Sequence, residues 1–179
     1  MSLYLVALFL HLIGAVLLFV TLGVEGLAIR YLSRATTVEQ VRDWGNVAAL
    51  SGVLGPLSAV TLLVTGLCMM ITTWHVVAWI VVAVVGWLFV VVVGTVNGIR
   101  LARMARIPAG ETAAVADQVG QPLLITSWLA TVAVGLGVMF LMSAKPDWGG
   151  SVLVLIIALA LGVAASMPIW ARPAARTGR

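Results

Sequence analysis

Five apolar runs dominate this chain, each long enough to cross a bilayer: Leu3 to Ile29, Val47 to Thr73, Val76 to Ile99, Leu123 to Ser143 and Ser151 to Ala171. A helix rises about 1.5 Å per residue, so about 20 residues cover the roughly 30 Å of lipid tails. Backbone N–H and C=O groups find no water there and must bond within their own segment, which makes each run a helix. The pattern predicts an all-α polytopic membrane protein, a bundle of five transmembrane helices forming one domain over residues 1–179. Only short connections remain, with no room for a separate soluble domain. Charged residues are 9% of the chain and hydrophobic ones 63%, whereas a soluble domain carries roughly 25% charge.

Arginine placement orients the bundle. Arg30, Arg34 and Arg42 fall in the connection Arg30 to Asn46, Arg100, Arg103 and Arg106 in Arg100 to Pro122, and Arg172, Arg176 and Arg179 after the last run. With five crossings all of them share one side, and the other side receives Lys145, offset by Asp147. Basic residues are retained in cytoplasmic connections, so the amino terminus is expected outside and the carboxyl terminus in the cytoplasm. Four or six crossings would split the arginines. Tyr4, Trp74, Trp79 and Trp148 then mark the outer ends of the runs, and Tyr31, Trp44 and Trp170 the inner ends, as interfacial aromatics do. Trp128 lies a little inside its run. Trp87 lies near the middle of the third, where its indole N–H needs a partner.

The net charge of +4 therefore reads as topology signal and anionic-lipid contact, and no nucleic-acid partner is expected. The first run has no basic segment before it and exceeds a signal peptide's apolar length, so it is expected to be retained as the first helix. A short amphipathic helix is expected over Thr112 to Val119. The partners expected are the bilayer and, through small-residue faces, other membrane subunits or a homo-oligomer.

Helices in lipid associate where small residues let backbones approach. Ala48, Ser51, Gly55, Ser58 and Thr65 share one face of the second run. Gly94 and Gly98 make a step on the third, Ser127, Thr131 and Gly135 on the fourth, and Ala158, Gly162 and Ser166 on the fifth. Pro56 removes a backbone hydrogen bond within the second run and predicts a kink.

Ionisable groups in a span are costly and face the protein interior or a cavity. His11 lies within the first run, where it either bonds a neighbouring helix or serves a ligand or proton. Glu25, fourteen residues on, returns to within about 40° of His11 round the helix but about 21 Å along it. It is expected to pair with Arg30 or Arg100, or with Asn97. His11, Cys68, Met69, Met70, His75, Met139 and Met142 all fall in the outer half, and soft sulfur with imidazole suits copper. Met69 and Met70 point about 100° apart, so at most one faces a site shared with His11. His11 with His75 is the sole histidine pair for a bis-histidine haem b. Cys68, the single cysteine, forms no intrachain disulfide. No zinc-protease helix, nucleophile elbow or phosphate loop occurs, so no enzyme activity is expected.

The opening residues Tyr4-Leu5-Val6-Ala7-Leu8-Phe9-Leu10-His11-Leu12-Ile13-Gly14-Ala15 resemble the start of a bacterial family of uncharacterised predicted integral membrane proteins. They are distantly similar to first helices of the copper-resistance protein D group. The resemblance implies a bacterial cytoplasmic membrane and a histidine-centred metal or haem role carried onto His11 alone, since a second intramembrane histidine is absent. Two expectations follow. One is a protein that handles a small ligand, metal or haem at an outer-side cavity around His11. The other is a non-catalytic accessory subunit of a larger membrane complex.

Overall fold

The computed structural model describes residues 2–104 and 121–171. Among them there is no strand, and the elements are α1 (Leu3–Leu32), α2 (Val38–Ala49), α3 (Ser51–Met69), a π turn (Met70–Trp74), α4 (Ala78–Met104), α5 (Pro122–Ala144) and α6 (Trp148–Trp170). Five helical stretches are long and apolar enough to span a bilayer. Leucine, valine and isoleucine side chains stand exposed along all of them, a surface that only lipid solvates without penalty. The chain is a membrane protein. The helix expected over Thr112 to Val119 and the residues Arg106, Arg172, Arg176 and Arg179 lie outside the described residues.

The connection Arg30 to Asn46 is more structured than its polarity suggested. Thr37 caps α2, its Oγ1 accepting from Gln40 N at 3.3 Å while Gln40 Oε1 accepts from Thr36 N at 2.9 Å. These bonds satisfy orphan donors at the helix start. Val41 and Ala48 turn inward onto Ile29, Leu32 and Leu101, and Tyr31 stacks on Trp44 with ring centroids 4.1 Å apart. Arg42, Asp43 and Asn46 stay exposed. The helical path from Val38 to Trp74 covers 37 residues, roughly 55 Å at 1.5 Å per residue, so polar α2 projects beyond the hydrocarbon.

Pro56 sits inside α3, and Leu50, the turn residue between α2 and α3, keeps helical dihedrals of φ −60° and ψ −32°. At the far end of α3 the π turn closes with His75 N donating to Met70 O at 2.7 Å, and His75 takes a left-handed φ of 56°. That turn and Lys145, whose ammonium lies 4.0 Å from the Trp74 ring centroid, mark one end of the bundle. Arg30, Arg34, Arg42, Arg100 and Arg103 mark the other, which we call the arginine end.

Two packing units make up the bundle. In the first, α1 runs antiparallel to α3. The buried residues of α3 are Ser51, Ser58, Leu62 and Thr65, largely the small-residue face that the spacing predicts, and Gly14 seats against Thr61 and Leu62. In the second, α5 lies between α4 and α6. A Cβ on Gly162 would stand 2.7 Å from Ala130 Cα and 2.9 Å from Leu129 O, so the α5 and α6 backbones touch. On α4 the two glycines part company. Gly98 faces α1 and α3, while nothing lies within 4 Å of a Cβ on Gly94.

The units join at the arginine end. Toward the Lys145 end α1 is buried along one stripe, Ala7, His11 and Gly14, which faces α3. Toward the arginine end it is buried on two faces, at Thr21, Leu22, Glu25, Ala28, Ile29 and Leu32. The indole of Trp128 on α5 lies over Gly26 and donates to Leu22 O at 2.9 Å. The polar residues of α1 with chemistry to offer therefore occupy different surroundings: His11 lies between two helices, and Glu25 lies where four meet.

Candidate functional site

Glu25 is 3% exposed. Its Oε1 and the Ser51 hydroxyl converge on Gly98, 3.4 Å and 3.6 Å from the position a Cβ would take there. The absence of a side chain at residue 98 makes the room. Ser51 Oγ spends its single proton on Ala48 O at 2.7 Å, so it has only lone pairs for a neighbour. Glu25 Oε2 is buried with no hydrogen-bond partner.

The expected ion pair with Arg30 or Arg100 is not formed, and both arginines are exposed. Helix geometry explains it. Arg30 is five residues past Glu25, about 140° round α1, and Arg100 is two past Gly98, about 160° round α4, so each points away from the carboxylate. Their long stems carry the charged heads outward to water.

Asn97, beside Gly98 on α4, is 1% exposed. Its amide meets Ser127 Oγ of α5 at 2.9 Å, and the same hydroxyl donates to Leu124 O at 2.9 Å. One hydroxyl proton cannot serve two acceptors fully. Both bonds are satisfied when the Asn97 amide donates to Ser127 and Ser127 donates to Leu124, an orientation related by a simple turn of the amide. The other end of the amide is buried without a partner, and in this orientation it is the carbonyl oxygen. Glu25 and Ser51 thus bring a carboxylate and a hydroxyl lone pair, both acceptors, to Gly98, while the amide of the adjacent Asn97 is turned to α5.

His11 is bound more conventionally. It is 8% exposed, and its Nδ1 lies 2.9 Å from Thr65 Oγ1. Thr65 donates its own proton to Thr61 O at 2.5 Å, so the histidine donates and Nδ1 carries the proton. The ring also rests on Gly66, with Cε1 3.3 Å from the position of a Cβ there. His11 thus joins α1 to α3. Cys68 and Met69 are half-buried further along α3, and His75 is exposed in the turn. His75 is nine residues beyond Gly66, about 14 Å along a helical rise, so the two histidines do not face one another. Among the described residues no three His, Cys, Asp or Glu side chains lie together as metal ligands do.

An apolar groove of about 510 Å³ runs between α5 and α6, lined by residues such as Leu129, Leu136, Phe140 and Leu161. Trp87 keeps a buried indole N–H without a partner.

Searches of protein families, curated proteins and solved structures return no match to the chain. The site is therefore read from its own chemistry. Among the residues singled out from the sequence, the structure places Glu25 against Gly98 of α4 and Asn97 against Ser127 of α5, and leaves His11, Cys68, Met69 and His75 at separate points along α1, α3 and the turn. Ser51, Gly98 and Ser127 were read only as packing residues. The Ser51 hydroxyl and the missing Cβ at Gly98 shape the surroundings of Glu25, and only the meeting of α1, α3 and α4 discloses it.

Proposed function

We propose that this chain is a multi-pass protein of the bacterial cytoplasmic membrane that takes a small positively charged ligand, a proton or a metal cation, at Glu25 and Ser51. The amino terminus lies outside and the carboxyl terminus in the cytoplasm, an orientation supported by the gathering of Arg30, Arg34, Arg42, Arg100 and Arg103 at one end and Lys145 at the other. The observation that carries the reading is the unpartnered Oε2 of Glu25. A bare carboxylate in a lipid-spanning bundle is costly unless positive charge reaches it, and such residues mark ion or proton sites. Copper or haem b at His11 would rest on Nε2 alone, because Nδ1 is engaged with Thr65. The geometry supports Glu25 as the centre over His11.

Dicyclohexylcarbodiimide, a carbodiimide that partitions into lipid, tests this in protein reconstituted into nanodiscs. Glu25 is expected to be modified at least about ten-fold faster than exposed Glu39, with the preference reversed for a water-soluble carbodiimide. Peptide mass spectrometry reads both rates, and Glu25→Gln serves as the blank. Modification of Glu39 with Glu25 left untouched by the lipid-soluble reagent would overturn the reading.

A further inference from the structure

We infer that Lys145 and Trp74 form a latch that holds the two packing units together at the Lys145 end, and that on its release the units part there, hinged on their junction at the arginine end.

The facing sides of α1 and α5 are covered unevenly. Leu12, Phe19 and Gly26 recur every seven residues and so share one side of α1. Gly26 lies under the Trp128 indole, and Phe19 reaches Gly135 of α5, 3.7 Å from the position a Cβ would take there. One repeat nearer the Lys145 end, Leu12 is 57% exposed, and Met139, one turn past Gly135 on α5, is 47% exposed. The two units are therefore closed on one another up to the level of Phe19 and Gly135, and beyond it these sides of α1 and α5 stand uncovered.

Backbone irregularities gather at the uncovered end. The π turn over Met70–Trp74 ends α3, and His75 follows it at φ 56°. Lys145 closes α5 at φ 49° and ψ 52°, a left-handed position where glycine is the usual residue. Among the described residues these two are the non-glycine positions of positive φ. Such strain persists where neighbouring contacts hold it, and it clusters at switch regions, as π turns do at functional sites.

One contact joins the two irregular segments. The Lys145 ammonium lies 4.0 Å from the Trp74 ring centroid, and Trp79 of α4 meets Trp74 edge-on at 5.7 Å. Trp74 ends α3, in the first unit, and Lys145 follows α5, in the second, so the contact crosses between them. The nearby Asp147 is engaged as the cap of α6, its Oδ1 accepting from Gly150 N at 2.8 Å. Lys145 is exposed, and a cation over an indole at an exposed site makes a modest contact, one suited to being made and broken. A lysine in the place of glycine is accounted for by what its side chain reaches.

The experiment measures two distances in the full-length protein in nanodiscs, in a Cys68→Ala background, by pulsed electron paramagnetic resonance. Nitroxides on Leu5→Cys and Ser143→Cys report the Lys145 end, and on Thr36→Cys and Leu123→Cys the arginine end; all four positions are exposed. Lys145→Gln and Trp74→Leu are each expected to lengthen the first distance by several ångströms and to leave the second unchanged. Lys145→Arg keeps a cation over the indole and is expected to match the parent. The double variant is expected to open no further than either single one, as the two sides of one contact do. An unchanged first distance in Lys145→Gln would overturn the latch. Lengthening of both distances would overturn the hinge at the arginine end, since the whole bundle would then have loosened.

Discussion

Gly162→Leu is expected to cost about 3 kcal/mol or more of stability, because it inserts a large side chain where two helix backbones already touch. The first atom of that side chain would meet Ala130 Cα at 2.7 Å, Leu129 O at 2.9 Å and Ala130 N at 3.0 Å. These are main-chain atoms with no rotamer to change, so α6 must move bodily away from α5. Moving it also opens the neighbouring contact, where a Cβ on Gly137 would lie 2.9 Å from Ala158 Cβ. Reversible unfolding in mixed micelles, titrated with dodecyl sulfate, measures the loss. Gly94→Leu is the control: nothing lies within 4 Å of a Cβ at Gly94, and its stability should change by less than about 1 kcal/mol. Equal effects at the two glycines would mean that α5 and α6 do not pack as described.

Trp128→Ala is expected to cost about 3 kcal/mol, the low end for removing a tryptophan, since the residue is only half-buried. Its indole fills the space over Gly26 and donates to Leu22 O, joining α5 to α1 one turn from Glu25. Trp128→Phe keeps much of the ring and loses the hydrogen bond, for which about 1 kcal/mol is expected within a membrane bundle. The loss should also be visible at the site. With the indole gone, Glu25 is expected to react with a water-soluble carbodiimide that leaves the parent protein's Glu25 unmodified. A Trp128→Ala protein of unchanged stability and unchanged Glu25 reactivity would contradict the joining of the two units at that level.

These residues also show what a sequence reading reaches and where it stops. The runs from Leu3, Val47, Val76, Leu123 and Ser151 declare helices because lipid permits little else for so many apolar residues in succession. The face of Ser51, Ser58 and Thr65 was readable for a similar reason, since spacing alone puts small residues on one side of a helix. The helix over Val38 to Ala49 was passed over. Its polar composition resembles a connection, and its signals are local, a cap at Thr37 with Gln40 and inward-facing Val41 and Ala48. Glu25 shows a harder limit. Arg30 is its nearest basic residue in the sequence, but helical rotation turns the two apart. What lies beside Glu25 is Gly98, more than seventy residues away and recognisable only once α1 and α4 meet. Gly94 and Gly98 look alike in the sequence; one faces open surroundings and the other makes room for a carboxylate.

Everything at Glu25 depends on α1 to α6 crossing the bilayer five times, with the site nearer the arginine end. Single cysteines at Ser2, Thr36 and Gly149, introduced into a Cys68→Ala background and challenged in intact cells with a membrane-impermeant maleimide, test this most directly. Those three positions are exposed and are separated by successive crossings. Ser2→Cys and Gly149→Cys are expected to label from outside and Thr36→Cys only after the membrane is opened. Labelling of Thr36→Cys and Gly149→Cys from the same side would contradict the five-span account.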